Sequence, residues 1–223
     1  SSEYYAMTVH VGSHLFENLK GTGKRALQSC LINVDEIEKI DDVMRITSIV
    51  SQTLCTEIYL IFQSNLEPRR EICTENSIKI VQQIIMALEH AGKKTLVAFC
   101  SSDMCLYKAA GASACATGKY FNLRRFTKGR FEDDENKGGQ QIPYWFEEGL
   151  MGFIREADLL RLKNKGLSNM IKQGSSNNVW ADKIINHLHS NPGAAWNALG
   201  WKQFLSWFSK AEKRSEERRV GKE

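Results

Sequence analysis

The chain has 223 residues, 42% hydrophobic and 25% charged, with a formal net charge of +4. This is an ordinary globular composition, enough for one domain or for one with an appendage. The mild charge does not by itself call for nucleic acid. The apolar runs fall far short of the roughly 20 residues that span a bilayer, and the polar start lacks the pattern of a secretory leader.

Six cysteines (Cys30, Cys55, Cys73, Cys100, Cys105 and Cys115) fall in or beside predicted core elements, without the CxxC spacing of a metal site. They read as small buried hydrophobes in a reducing compartment, which makes the expected location cytoplasmic.

In chain order, residues 4–20 place Tyr5, Val9, Phe16 and Leu19 at helical spacing. The following GTGKR, residues 21–25, reads as a turn. It resembles part of a phosphate-binding loop, but Asn18 stands at the first glycine position and Arg25 replaces Ser or Thr. A buried strand is expected over Leu27–Val34 and a helix over 41–54, with Asp41 and Asp42 at its positive end. A second strand covers Ile58–Phe62, and a helix with the stripe Val81, Ile84, Ile85 and Leu88 covers Ser77–His90. A third strand covers Thr95–Phe99, a short helix Met104–Ala110, and a fourth strand 113–117.

Four rounds of strand then helix, with strands apolar throughout, imply a parallel sheet covered on both faces. A doubly wound open sheet and a (β/α)8 barrel both fit. The segment KAAGASACATG favours the barrel: a short helix ending in small residues leads to a strand of small side chains that stops at glycine. The fold class is therefore α/β, with parallel βα units forming the C-terminal half of a (β/α)8 barrel and a helical C-terminal appendage.

Residues 119–143 read as a long loop, cationic at first and acidic later at Glu132, Asp133, Asp134 and Glu135. Phe146, Leu150, Phe153, Ala157 and Leu160 predict an amphipathic helix, the last of the barrel. Residues 164–178 read as loop, and two helices follow, one with Trp180, Ile184 and Leu188, the other with Trp201, Phe204 and Phe208. The expected domains are a partial barrel over 1–163 and a helical extension over 164–213. The tail 214–223, RSEERRVGKE, resembles the translation of a common sequencing adapter and is expected to be artefactual or disordered. The chain then reads as an open reading frame cut at both ends.

Ligands of parallel α/β folds bind at the carboxyl ends of the strands. This rule selects Asp35, just after the first strand, and Asp103, just after the third, as candidate acid/base or nucleophilic groups. Either could instead cap a helix. Gly118 and Lys119 follow what would be the eighth strand, where barrels often hold phosphate. Arg124 and Arg125 could clamp a phosphate bidentately, and Tyr120 and Phe121 could stack on bases. The competing reading is that the aromatics anchor a long loop whose cations are solvated, or are neutralised by residues 132–135. His187 and His189 do not share a helix face, and His10 with His14 lacks a third ligand, so neither a metal site nor a cofactor is expected.

The stretch Val97–Arg125, VAFCSSDMCLYKAAGASACATGKYFNLRR, resembles the closing portion of tRNA-guanine transglycosylase-like barrels. An acid there opens a helix, a glycine turn leads to the last strand, and an arginine-bearing loop follows. The resemblance implies a barrel with a polynucleotide-sized ligand. That family carries an aspartate in the strand after the glycine turn, where this chain has Ala114, Cys115, Ala116 and Thr117. The family's downstream zinc cysteines are also missing.

The leading expectation is thus a fragment of a barrel enzyme acting on a phosphorylated or nucleic-acid-type substrate, with transferase-like glycosyl chemistry. The alternatives are a non-catalytic anion- or nucleic-acid-binding module, and a protein-interaction subunit that uses exposed Trp201, Phe204 and Phe208.

Overall fold

The computed structural model describes residues 2–65, 74–120, 123–127, 142–172, 174–191 and 194–220. Its contacts divide the chain into two units, Ser1–Phe131 and Glu132–Glu223. The division expected from sequence falls at 163/164.

The first unit holds four parallel strands: β1 (Leu27–Asn33), β2 (Glu57–Gln63), β3 (Lys94–Val97) and β4 (Ala114–Cys115). They lie side by side in chain order, β1-β2-β3-β4. The helices are α1 (Ser2–Asn18), α2 (Ile40–Val50), α3 (Glu75–His90) and α4 (Met104–Ala109). The start of α3 shows why local sequence makes it a helix. Thr74 Oγ1 accepts the Ser77 amide at 3.3 Å, Glu75 sits in the first turn, and Val81, Ile84, Ile85 and Leu88 form its buried stripe.

Successive helices pack on one another, α1 on α2, α2 on α3 and α3 on α4. Right-handed crossovers between strands in sequential order place helices on one face, and this packing agrees. That face is buried through Cys30, Ile32, Ile58, Leu60, Phe62, Val97 and Cys115. On the other face Leu27 is exposed, and Leu31, Tyr59, Ile61, Leu96 and Ala114 are half-buried. Cover on both faces was expected; here helices cover one.

Three polar side chains tie helices to the sheet. Gln28, 3% exposed, donates to the Thr8 carbonyl of α1 at 3.1 Å and accepts from Thr53 Oγ1 at 3.1 Å. A methyl group at Gly12 would overlap the Gln28 side chain, so glycine lets α1 approach. Tyr4 accepts the Leu31 amide at 3.3 Å, occupying an otherwise open donor on the edge strand β1. Glu89, at the end of α3, accepts the amides of Thr95 (2.8 Å) and Ser113 (2.9 Å), fixing the starts of β3 and β4.

The second unit pairs β5 (Tyr144–Glu147) antiparallel with β6 (Gly152–Arg155), followed by α5 (Glu156–Asn164), α6 (Val179–Ser190) and α7 (Asn197–Val220). The helix expected from Phe146 onward is thus a hairpin first. The reason is burial on two sides. Trp145 packs with Leu159, Ile184, Leu188 and Trp196, while its neighbour Phe146 meets Trp207 at a tilt, 4.2 Å between ring centroids, and Phe204 edge-on at 5.3 Å. Successive residues buried in opposite directions require a strand. Met151, at φ 45°, closes the hairpin turn. Residues 214–220, part of the tail expected to be artefactual or disordered, continue α7; Glu and Arg are good helix formers. No helix among the described residues is long and apolar enough to cross a membrane.

Candidate functional site

The four parallel strands deliver their loops to one carboxyl rim. The sharpest feature there is Phe99. It adopts φ 59°, a left-handed conformation that a bulky aromatic rarely takes. The Ala98 amide still bonds the Leu60 carbonyl of β2 at 2.9 Å; then the chain turns away. Beyond that point Phe126 bridges in parallel to Gln63, and the rings of Phe99 and Phe126 meet edge-on at 5.4 Å. The basic segment therefore returns to the sheet and takes a place at its rim.

Return to the rim internalises the two arginines. Arg124 and Arg125 are each 6% exposed. Arg124 donates Nε to the Gly118 carbonyl at 3.2 Å and Nη2 to the Lys119 carbonyl at 3.3 Å. Arg125 donates Nη2 to Ser64 Oγ, on the loop after β2. A methyl at Gly118 would overlap the Leu123 side chain, so this glycine serves a close approach within the loop. Lys119 and Tyr120 remain exposed, with the Lys119 Nζ 5.0 Å from the ring centroid of Tyr120. Phe121 and the acidic run 132–135 lie outside the described residues.

The two acids differ. Asp103 is half-buried and held at both oxygens: Oδ1 accepts the Ser101 amide and Oδ2 the Tyr107 hydroxyl, each at 2.7 Å. It makes no side-chain cap bond to α4. Tyr107 is buried, and that burial, with the Asp103 charge beside it, raises its pKa well above the ordinary phenol range. It stays a proton donor to Asp103. Asp35 is exposed, in a short turn after β1, and accepts the Asn65 amide, tying the first rim loop to the second. Asp35 and Asp103 thus share a rim, on the loops after β1 and β3, with the β2 loop between them.

Behind the rim, Cys100 is fully buried, and burial and the neighbouring Cys115 thiol hold it protonated. Among the described residues no three of His, Cys, Asp and Glu gather as a metal site would require. At the opposite end of the strands a cleft of about 340 Å³ is lined by Phe16, Lys20, Gly21, Lys24, Arg25 and Glu57. Its cations are largely countered: Arg25 pairs with Glu57, and Lys20 with Glu17 at 2.6 Å. Gly21 and Gly23, both at positive φ, make the expected turn.

The second unit carries its own buried polar network. Gln203, fully buried on α7, accepts the Phe146 amide at 2.9 Å and donates to the Phe146 carbonyl at 2.8 Å, completing β5 as a neighbouring strand would. Glu147 is 1% exposed and accepts from Trp145 Nε1 (3.1 Å) and the Gly149 amide (3.2 Å). Phe204 and Phe208, whose exposure the interaction-subunit reading needed, are 0% and 5% exposed.

Sequence reasoning missed Tyr107, Ser64, Glu89 and Gln203. Ser64 and Gln203 lie far along the chain from the groups they hold, and Glu89 also reaches Ser113, 24 residues on; Tyr107 stands four residues after Asp103, a helical spacing that could have pointed to the pair. The class defined so far is an α/β protein whose four-stranded parallel sheet ends in a polar rim. No family model, curated protein or solved structure matches the chain.

Proposed function

We propose that the first unit is one half of a (β/α)8 barrel and that the protein acts at its carboxyl rim on a phosphorylated or nucleic-acid-type substrate. The observation that carries this is strand order. Four parallel strands in unbroken chain order, with helices on one face, match the wall of a barrel, whereas a doubly wound sheet reverses order at its switch point. The half-buried apolar row Leu31, Tyr59, Ile61, Leu96 and Ala114 suits a barrel interior. So does the exposed stripe Tyr4, Met7, Val11 and Leu15 on α1, which fits the flank of a further helix. In this reading Asp103 is the positioned carboxylate, and transglycosylase-like glycosyl transfer is the chemistry the sequence resemblance implies. Lys119 and Tyr120 meet the substrate's phosphate and ring; Arg124 and Arg125 shape the loop behind them.

The test is equilibrium titration of the chain with inorganic phosphate, a nucleoside 5′-monophosphate and a short single-stranded RNA, over a salt series. Lys119→Ala is expected to weaken the phosphate-bearing ligands about tenfold. Asp103→Asn, which removes a negative charge, should leave binding equal or tighter. Affinity independent of salt would sink phosphate recognition. One observation favours a non-catalytic binding module instead: both Asp103 oxygens already accept hydrogen bonds. Ligand binding without turnover in the wild type would favour that module, whereas turnover that survives Asp103→Asn would point to another acid.

A further inference from the structure

The second unit displays cations in the opposite way to the rim. Trp180, at the start of α6, is half-buried, and two ammonium groups lie over its ring, Lys183 Nζ at 4.6 Å and Lys202 Nζ at 4.7 Å from the centroid. Lys202 also lies 5.6 Å from the ring of Trp201, its neighbour on α7. One lysine therefore stands between two indoles from two packed helices. Neither Lys183 nor Lys202 forms an ion pair among the described residues, and the adjacent acid, Asp182, is taken by Lys172 at 3.1 Å. The same face of α7 continues through Ser209 and Lys213, both exposed. Spacings of seven and eleven residues keep them within about 20° of Lys202, over about 16 Å of helix.

We infer that this patch is a contact surface for single-stranded nucleic acid. Bases stack on Trp180 and Trp201, and backbone phosphates meet Lys183, Lys202 and Lys213. The combination selects the ligand. An acidic peptide would satisfy the lysines but has no flat ring for the indoles, whereas a nucleotide strand supplies both at every step. A lysine over an accessible indole is held weakly and swings aside for a base. The inference does not rest on the rim, which lies in the other unit.

The experiment uses the full chain and its own fluorescence. Of the five tryptophans, Trp145, Trp196 and Trp207 are 0%, 2% and 1% exposed, so quenching by a bound base reports on Trp180 and Trp201. Titration with a 15-residue oligothymidylate and with oligouridylate should quench the emission. The double variant Lys183→Glu/Lys202→Glu should lose at least tenfold in affinity. The milder Lys183→Gln/Lys202→Gln should lower the salt slope by about 1.4, two single-strand phosphate contacts. Circular dichroism checks that both remain folded, and the Gln pair stands alone if the Glu pair does not. All five tryptophans lie in the second unit, so the quench does not report ligand held at the rim of the first. The inference is overturned if wild type is not quenched, if the Gln pair binds with unchanged affinity and slope, or if poly-glutamate quenches equally. That last result would make the patch an acidic-protein surface.

Discussion

Arg124 and Lys202 are both cations set beside aromatic residues, yet the two units use them differently. In the first unit Arg124 and Arg125 are drawn inward, and their guanidinium groups bond Gly118, Lys119 and Ser64 of the protein itself. In the second, Lys183 and Lys202 stand over indole rings at the surface. The denser basic-aromatic stretch is thus the one with more of its charge engaged internally, and the sparser pair on the C-terminal helices is the one displayed. Arginine suits the first role, since a planar fork meets carbonyl and hydroxyl acceptors at fixed angles, and lysine the second. Density of charge along a sequence is a poor guide to charge available for a ligand.

The tryptophans make this contrast measurable, because all five lie in the second unit. Tryptophan emission follows that unit alone, while far-UV circular dichroism follows both. The largest expected effect is Arg125→Ala. It removes a buried side chain and its hydrogen bond to Ser64, and should destabilise the first unit by about 2–4 kcal/mol. In urea the dichroism transition should move while tryptophan emission does not. A common shift would show that the rim belongs to a single cooperative unit and break the contrast.

An intermediate effect comes from alkali. Burial raises the Cys30 thiol from its ordinary value near 9 to about 12. Below pH 9 folded and unfolded chains both keep this proton. Between 9 and 12 only the unfolded chain loses it, so stability falls with rising pH by about 1.4 kcal/mol per unit. Tyr5, Cys100 and Tyr107, raised chiefly by burial, act in the same direction, and all lie in the first unit. Melts at pH 8 and 10.5 should show the dichroism transition moving first. Cys30→Ala should reduce the slope. The smallest effect is Lys202→Ala, which should change stability by no more than about 0.5 kcal/mol while weakening oligonucleotide binding. A larger loss of stability would place Lys202 among the structural cations and erase the distinction from Arg125.

Much of the first unit was legible because its signals are local. The stripe Val81, Ile84, Ile85 and Leu88, the acids Asp41 and Asp42, and the breaks at Gly92 and Gly111 each act within a turn or two of the chain. The hairpin at Tyr144–Arg155 was misread for a physical reason. Phe146, Leu150, Phe153 and Ala157 match a helical period, but Trp145 and Phe146 face different partners supplied by α6 and α7. At the rim, position after a strand was enough to select Asp35 and Asp103. It could not say that Tyr107 would grip Asp103 or that Asp35 would brace Asn65.

By itself the sequence determined that four apolar strands alternate with helices, and hence that a parallel sheet forms with its loops at one rim. Periodicity, capping and glycine breaks are properties of neighbouring residues and survive without a tertiary fold. Only the tertiary structure decided which face of the sheet is covered and that Phe99 turns out of β3. It also decided that Arg124 and Arg125 are buried while Lys183 and Lys202 stand over indole rings. Those outcomes depend on burial and on partners dozens of residues away: Ser64 lies 61 positions from Arg125, and Gln203 lies 57 from Phe146. The energy of a buried charge or amide is set by what surrounds it in space.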